Sequence, residues 1–455
     1  MNLPPSPFQD GSLTAFARRL RSKEITAHGA ARDLLARIEA VDGKLRAYTH
    51  VDGERALARA AAVDLLLAAG IDLGPLMGVP IAVKDLFSVD GMPTRAGSEV
   101  DIADLVPPQG RFIERLQRAG CVILGKTATT EFALGGFNFK RPPPWNPCDP
   151  DVARMTGGSS HGSAVAMAAG LCAFSLGSDT GGSVRWPAAL CGVAGYKATT
   201  DHWPQDGIFP LSRRMDSIGV FAAGVEDLRV VHAALAGTSV AAAPLPATLV
   251  LALPGGHFLQ NLEPVVEACF ARALELLRAA GVTLRELALP ESVEIDEVFG
   301  RLVTAEWLAF VGRDRFLANE AAIDPVAAAR VREGLGLRAD EYVRLSSRQQ
   351  ALTAIMAERA EGIDAWISPT VVKLPAPCAD FRNVEEVAAW NRVTTQNTRP
   401  ANLFGQCGLS LPMQHLGAPW PAGLQLCAAP GTDRRLLAVA AAVEHVIGRP
   451  RSLAA

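Results

Sequence analysis

The feature of this sequence that most limits its fold is an alternation of short apolar runs with helical segments. Residues 77–84, 121–124 and 172–176 are short apolar runs, and the first two are rich in β-branched residues. A segment with helical spacing, residues 112–118, separates the first two runs. Strands that alternate with helices in this way indicate a layered α/β domain with a largely buried sheet.

The size and charge of the chain exclude several classes of protein. It has 455 residues, with 44 basic and 47 acidic side chains and a net charge of −3. About three quarters of the surface of such a chain can be buried on folding, so its core needs no disulfide or metal. A charge balance this even offers no cationic surface for a phosphate backbone, and we expect no nucleic-acid partner.

Cysteine spacing and the uncharged stretches lead us to expect a cytoplasmic protein without a membrane partner. None of the eight cysteines lies in a C-x-x-C pair or in a cysteine–histidine cluster at metal spacing, so we expect reduced thiols, no metal and no cofactor. Residues 1–10 lack the basic and apolar regions of a secretory signal. The longest uncharged stretch, residues 230–262, is interrupted by prolines and a Gly-Gly pair.

One segment matches a nucleotide-binding pattern without the local structure that the pattern needs. Residues 120–127, GCVILGKT, satisfy G-x-x-x-x-G-K-[ST]. In a phosphate-binding loop the central residues follow the strand and turn their N–H groups inward, whereas residues 121–124 form an apolar, β-branched strand pattern themselves. We therefore expect a strand here and no nucleotide site.

A second segment matches the nucleophile elbow of α/β-hydrolases. Residues 158–162, GSSHG, satisfy G-x-S-x-G and would make Ser160 the nucleophile of an esterase. The motif needs a strand directly before it, and residues 151–156, DVARMT, make a poor buried strand. His415 and His445 are the available bases, but neither has a distinctive sequence setting. This function stays an alternative.

The third candidate combines two segments rich in glycine and serine. Residues 157–160, GGSS, open a run of small residues that predicts a helix over 163–170, and the strand at 172–176 leads on to residues 181–183, GGS. Glycines just before a serine let the backbone bend so that successive N–H groups converge, as in an oxyanion hole. Together with Lys84 on an upstream strand, this pattern predicts a serine nucleophile.

These segments resemble the amidase signature family, serine hydrolases of amide bonds, and the resemblance covers most of the chain. It rests on residues 79–85 (VPIAVKD), 120–132 (GCVILGKTATTEF), 156–195, 368–370 (SPT), 397–402 (NTRPAN) and 423–425 (GLQ). The resemblance implies one large α/β domain over residues 1–455, with a mostly parallel or mixed central sheet covered by helices on both faces.

The resemblance also implies an order of segments within that domain. An N-terminal helical segment would occupy about residues 1–72 and the signature core about residues 73–220. A variable helical region on the substrate side would follow at about residues 260–362, and the C-terminal part of the core at about residues 363–455.

The family's catalytic roles fall on three side chains of this sequence. Ser183 would be the nucleophile, Lys84 the base, and Ser159 a bridging serine preceded by a cis peptide bond after Gly158. A lysine can take the serine proton if its pKa falls from about 10.4 toward roughly 7 to 8, which burial favours. The oxyanion hole would be formed by the N–H groups of Thr180, Gly181, Gly182 and Ser183.

Supporting residues flank both serine segments. Gly158 and Ser160 adjoin the bridging serine, and we expect Asp179 and Arg185 to pair and brace the catalytic turn. His161 stands where most family members have a glycine. Two interpretations of it stay open: an imidazole beside the site that titrates near neutral pH, or a surface histidine that fills a gap.

The substrate pocket is less defined by the sequence. We expect Gly135, Gly136, Ile208 and Phe209 to contact the substrate. The last two lie in residues 200–214, a long loop after the catalytic turn that suits a wall or lid.

The fold does not choose among the family's substrates. Amidotransferase A subunits usually carry a tyrosine-rich stretch, and this chain has three tyrosines in all, so we expect a stand-alone enzyme. Its partner would be a small neutral aryl or alkyl amide, or a related carbamate (urethane), cleaved through an acyl-enzyme, with a homodimer left open. The alternatives are the esterase using Ser160 and a glutaminase or amidotransferase A-type subunit.

Overall fold

The apolar runs of the sequence form one large sheet. The structure is a computed structural model and describes residue 8 and residues 12–238 and 248–450. Its strands are β1 (Tyr48–Val51), β2 (Pro80–Lys84), β3 (Val122–Thr127), β4 (Phe174–Asp179), β5 (Ala194–Lys197), β6 (Ser217–Ala222), β7 (Val250–Pro254), β8 (Thr283–Leu287), β9 (Ala365–Pro369), β10 (Cys407–Pro412) and β11 (Gly423–Ala428). Their order across the sheet is β1-β3-β2-β4-β6-β5-β10-β11-β9-β7-β8.

The sheet is mixed, with six antiparallel and four parallel strand pairings. Strand β2 runs parallel to β3 and β4, and β7 runs parallel to β8 and β9. The predicted α/β class is confirmed, and of the two sheet types expected, mostly parallel or mixed, the sheet is mixed. Strands β10 and β11 are joined by a short connection, which antiparallel neighbours allow and parallel ones do not.

Helices cover the sheet. They are α1 (Leu13–Arg21), α2 (Ala27–Leu45), α3 (Gly53–Ala68), α4 (Arg111–Arg118), α5 (His161–Ala168), α6 (Arg185–Cys191), α7 (Val225–Ala236), α8 (Pro264–Ala279), α9 (Ile295–Val311), α10 (Arg313–Asn319), α11 (Pro325–Arg332), α12 (Ala339–Arg359), α13 (Val384–Thr394), α14 (Arg399–Leu403) and α15 (Asp433–Ile447). Every residue of β2, β3, β4, β5, β6, β9, β10 and β11 is buried. Because successive strand side chains point to opposite faces, this burial confirms that both faces are covered.

Two of the predicted helical regions also contribute strands. The N-terminal part supplies β1, which pairs with β3 at one edge of the sheet, and β8 forms the opposite edge. Helices α9 to α12 pack over a second apolar core that contains Trp307 and Phe316. This core lies against the end of the sheet that carries the candidate site.

Parts of two sequence segments considered above lie outside the described residues. These are residues 1–7 and 9–11 at the amino terminus and residues 239–247 in the uncharged stretch. Across 12–238 and 248–450, no helix combines the length and apolar character that crossing a bilayer requires. All eight cysteines lie in this described part, and they are free thiols.

Candidate active site

Lys84 is the last residue of β2 and is completely buried. Its Nζ donates hydrogen bonds to Ser159 Oγ at 2.7 Å and to Ser178 Oγ at 2.9 Å. Burial lowers the pKa of Lys84 to about 7, although the charges of Asp216 and Asp179 oppose the shift. The two closest partners are neutral hydroxyl groups, so the lysine can exist without its proton near neutral pH.

A second buried lysine on the neighbouring strand shows why Lys84 differs. Lys126 on β3 donates to the Asp85 carboxylate at 3.0 Å, and also to the Pro93 carbonyl and the Thr94 hydroxyl. These three acceptors, one of them charged, satisfy all three N–H groups of an ammonium. Lys126 therefore anchors the loop after β2 that contains Pro93 and Thr94. Lys84, by contrast, has no carboxylate in contact.

Ser159, the expected bridging serine, follows a cis peptide bond between Gly158 and Ser159. The next residue, Ser160, is fully buried, and its Oγ donates to the Ser178 carbonyl at 3.2 Å. Residues 151–156 form no regular strand. The structure thus lacks the strand that a nucleophile elbow at Ser160 requires, which counts against the esterase alternative.

Residues 120–127 have the strand structure expected of them. Strand β3 occupies Val122–Thr127 and is fully buried. A phosphate-cradling loop is therefore absent from these residues, and the match to the nucleotide-binding pattern has no structural counterpart.

Ser183 lies on the turn between β4 and α6, and it is partly exposed to a cavity. The turn depends on Gly182, whose φ is +116° and whose absent Cβ would lie 2.1 Å from Thr398 Oγ1. Thr398 Oγ1 donates to the Gly181 carbonyl at 2.7 Å. The Ser160 N–H donates to the Ser183 carbonyl at 3.2 Å and so joins the two serine segments.

One N–H group of the expected oxyanion hole is already paired. The Gly182 N–H donates to Asp179 Oδ1 at 2.8 Å, which corrects its expected role. Thr180, Gly181 and Ser183 line the cavity, and Gly182 is not among the lining residues. Their three N–H groups remain the candidates.

Asp179 and Arg185 brace this turn as an ion pair with both side chains fully buried. Asp179 also accepts from the N–H groups of Val184 and Arg185. Burial alone would raise the pKa of Asp179, but Arg185 holds it well below its usual range. The Arg185 guanidinium also donates to Gln425 Oε1 at 2.8 Å and to Asn402 Oδ1 at 2.6 Å. Both members of the pair are therefore hydrogen-bonded to further groups.

Asp216 is a site residue that the sequence did not single out. Its Oδ1 accepts from Thr180 Oγ1 at 2.5 Å, and its Oδ2 accepts from the N–H groups of Leu211 and Ser212. Burial raises the pKa of Asp216 to about 6 despite these bonds and the charge of Lys84. Asp216 therefore joins Thr180, at the start of the turn that carries Ser183, to residues 211–212 in the cavity wall.

The cavity beside Ser183 has a volume of about 50 Å³. Gly135 lines it as expected, together with Ala133 and Leu134. The remaining wall comes from α9, α11 and the segment around α13 and α14, and it comprises Phe299, Val303, Arg330, Asn391, Thr395 and Arg399. Two of these residues, Arg330 and Arg399, carry guanidinium groups. The sequence predicted a neutral substrate, so two positive charges in the wall were not expected.

Three expected contact residues do not line this cavity. Gly136 packs against the Trp186 ring, where a Cβ would lie 2.2 Å from a ring carbon. Phe209 stacks on Phe132 in the second apolar core with ring centroids 5.8 Å apart. Ile208 pairs with Phe87 in an isolated bridge. Within the loop at 200–214 it is Leu211 that lines the cavity.

His161 fits neither interpretation given above. It is the first residue of α5 and is buried, with 2% of its surface exposed. Burial, with a smaller contribution from the Lys84 charge, lowers the pKa of His161 to about 3. The imidazole is therefore neutral in the working pH range and packs inside the protein.

A group of histidines elsewhere has metal-like spacing. His202, His232 and Asp433 place one ligand atom each within 4.8 Å of one another, the one such group among the described residues. The two Nε2 atoms are 3.1 Å apart, within hydrogen-bond distance, and Asp433 already accepts from Tyr196 and Thr199. The cluster is satisfied by its own hydrogen bonds.

Comparison with known proteins gives the family. The model of the family described as Amidase matches residues 30–437. A 2-amino-5-chloromuconic acid deaminase from Comamonas testosteroni is 37% identical, over 97% of each chain. The A subunit of a glutamyl-tRNA(Gln) amidotransferase from Geobacter metallireducens is 34% identical, over 94% of this chain and 95% of its own. A solved structure described as an amidase has a TM-score of 0.87 at 32% identity, over 96% of this chain and all of that one.

The fold and these similarities define an enzyme that hydrolyses C–N bonds of amides. The chain belongs to the Amidase family, and the resemblance to the amidase signature is confirmed.

Replacing Arg185 tests the brace. Arg185→Met leaves the Asp179 charge buried without its partner, and we expect the free energy of unfolding to fall by about 3–5 kcal/mol. Denaturant unfolding followed by fluorescence measures the change. The matched control is Arg118→Met, which removes an exposed pair with Glu114 and should change stability by less than about 1 kcal/mol. Equal stability of the two variants would contradict the role of the brace.

Proposed function

We propose that the chain is a stand-alone amidase that cleaves the C–N bond of a small linear amide, or of a related carbamate, through an acyl-enzyme on Ser183. The observation that carries the proposal is the buried Lys84 Nζ, 2.7 Å from Ser159 Oγ and without a carboxylate in contact. Ser183 adjoins this pair through the hydrogen bond from Ser160 to its carbonyl. The eight free thiols suit a cytoplasmic location, which is part of the proposal.

In the proposed reaction the Ser183 hydroxyl attacks the substrate carbonyl. The Ser183 proton passes to Ser159 Oγ, while Ser159 gives its own proton to neutral Lys84. Ser183 Oγ loses its proton as it forms the new C–O bond, and the carbonyl oxygen takes up the negative charge. The proton then returns by the same route to the leaving nitrogen, the C–N bond breaks, and an ester on Ser183 remains. Water activated by the same pair hydrolyses that ester and restores all three side chains.

The carbonyl oxygen gains negative charge when Ser183 attacks. The N–H groups of Thr180, Gly181 and Ser183 are proposed to donate to it, since all three residues line the cavity. Asp216 supports this arrangement by holding the Thr180 side chain at 2.5 Å. Donors fixed before reaction stabilise the transition state without having to reorganise during it.

The relatives leave two substrate classes to be distinguished. One is named for deamination of 2-amino-5-chloromuconic acid and the other as part of an amidotransferase. Identity of 34% over nearly the whole chain keeps the glutaminase or amidotransferase A-type alternative as the second candidate. Both functions use the same serine and lysine, so turnover decides between them.

Active-site labelling tests the nucleophile. We expect a fluorophosphonate to modify Ser183, since its hydroxyl is partly exposed in the cavity while that of Ser160 is buried. The tryptic peptide 155–185 contains Ser159, Ser160 and Ser183, so fragment-ion sequencing must locate the label. Ser183→Ala should abolish labelling and Ser160→Ala should not. A label on Ser160, or none at all, would falsify the mechanism.

The pH dependence of kcat/KM tests the base. Lys84 acts only without its proton, and burial lowers its pKa to about 7. We therefore expect kcat/KM to rise with pH through about 7 and then to level off. Lys84→Ala should reduce kcat/KM by about 10²- to 10⁴-fold, whereas the surface control Lys44→Ala should not. Wild-type rates for Lys84→Ala at every pH would rule Lys84 out as the base.

A turnover panel tests the substrate class. It comprises p-nitroanilides, primary amides, carbamates and ureas, with L-glutamine as the comparison. We expect amides or carbamates to be hydrolysed with higher kcat/KM than L-glutamine. Hydrolysis of L-glutamine alone would favour the amidotransferase alternative.

A further inference from the structure

Two arginines line the same cavity as the nucleophile, and their surroundings differ. Arg399, at the start of α14, donates from Nη1 to Asp296 Oδ1 at 2.6 Å. Arg330, near the end of α11, has no hydrogen bond or ion pair with any residue in 12–238 or 248–450. Its guanidinium lies 5.9 Å from the centroid of the Phe299 ring. The cavity therefore contains one paired and one unpaired guanidinium.

The unpaired guanidinium keeps its charge. Burial, and then the neighbouring Arg399, lower the pKa of Arg330 to about 10. Its charge is thus present at neutral pH. The acidic groups that favour the charge are Glu333, which is exposed, and Asp296, which is bound to Arg399. No carboxylate of the described chain contacts Arg330.

Arg330 is half-buried, and a partly desolvated charge without a partner is costly, so an apolar side chain of similar volume is often no less stable in such a position. A second polar group in the wall is also unsatisfied. Asn391 is buried, its Oδ1 has no hydrogen-bond partner, and its Nδ2 faces Gly135, where a Cβ would lie 3.3 Å away. The pocket therefore holds a planar cationic fork and an amide that the folded chain itself does not use.

We propose that Arg330 binds a carboxylate of the substrate, which makes the enzyme specific for short anionic amides with a carboxylate at the end opposite the scissile bond. The inference rests on the proposed function, because it takes Ser183 as the nucleophile. A guanidinium presents two parallel N–H groups that match the two oxygens of a carboxylate. Ser183 and Arg330 line the same cavity, so we expect a spacer of only a few carbon atoms between the carboxylate and the amide.

Matched substrates test the carboxylate site. Succinamic acid and butyramide differ only in a carboxylate replaced by a methyl group, as do glutaramic acid and valeramide. We expect wild-type kcat/KM to favour each acid over its neutral partner. In Arg330→Gln that ratio should fall by about 10- to 100-fold. Arg330→Lys retains the charge but not the planar fork. Its ratio of kcat/KM for acid over neutral amide should lie between those of wild type and Arg330→Gln.

The control variant lies on the same helix. Arg332 is exposed and pairs with Glu320 at the surface. Arg332→Gln removes one positive charge two residues from Arg330 and should keep the wild-type ratio. Equal ratios for Arg330→Gln and wild type would overturn the carboxylate site while leaving the amidase function intact.

A binding measurement separates the two failures. Calorimetry with Ser183→Ala protein and succinamic acid needs no turnover, and Arg330→Gln in the same background should weaken binding by about 10- to 100-fold. Unchanged binding would overturn the inference. Absence of hydrolysis by wild type, with weaker binding in Arg330→Gln, would overturn the proposed function and keep the anion site. Arg330→Met should melt no lower than wild type, which shows that these variants fold.

Discussion

The buried ion pair between Asp179 and Arg185 is the interaction on which the site depends. Both charges are removed from water, and hydrogen bonds to the surrounding chain offset the cost of burying them. Asp179 accepts from the N–H of Gly182 inside the turn, and Arg185 donates to the side chains of Asn402 and Gln425 from distant segments. These bonds fix the residues on both sides of Ser183 and so fix its position.

The two lysines on neighbouring parallel strands differ in their partners. Lys84 ends β2, Lys126 is the penultimate residue of β3, and both are buried. Asp85, next to Lys84 in sequence, pairs with Lys126 instead. That pairing satisfies one lysine and leaves the other beside neutral hydroxyl groups, with a lowered pKa. The Asp85 carboxylate therefore holds Lys126 and leaves Lys84, the proposed base, without a negative charge in contact.

The sequence predicted those parts of the molecule that local patterns determine. Helix α4 (Arg111–Arg118) and the strand within residues 120–127 follow from periodicity and β-branching. Strands β1, β5, β6, β8 and β10 were not predicted. Strands β1 and β8 are partly exposed edge strands whose existence depends on their neighbours, and the other three lie inside the sheet without a distinctive local pattern.

The walls of the site could not be predicted in this way. Arg330 lies on α11 and Asn391 on α13. The apolar spacing of these helices does not tell whether either residue faces solvent, the core or a cavity. The pairing of the Gly182 N–H, the burial of His161 and the packing of Phe209 away from the cavity depend on contacts with distant segments. No local sequence signal records such contacts.

The strand order also has a consequence for synthesis of the protein. Strand β10 lies between β5 and β11, so the middle of the sheet is completed only after residues 407–428 have been made. While the chain is still on the ribosome, Arg185 lacks Asn402 and Gln425, its partners 217 and 240 residues later. A chain that stops before residue 402 therefore contains Lys84, Ser183 and both charges of the brace, but it lacks the two amide side chains that hold the Arg185 guanidinium. The turn that carries Ser183 gains its full set of contacts only after residue 425 has been made.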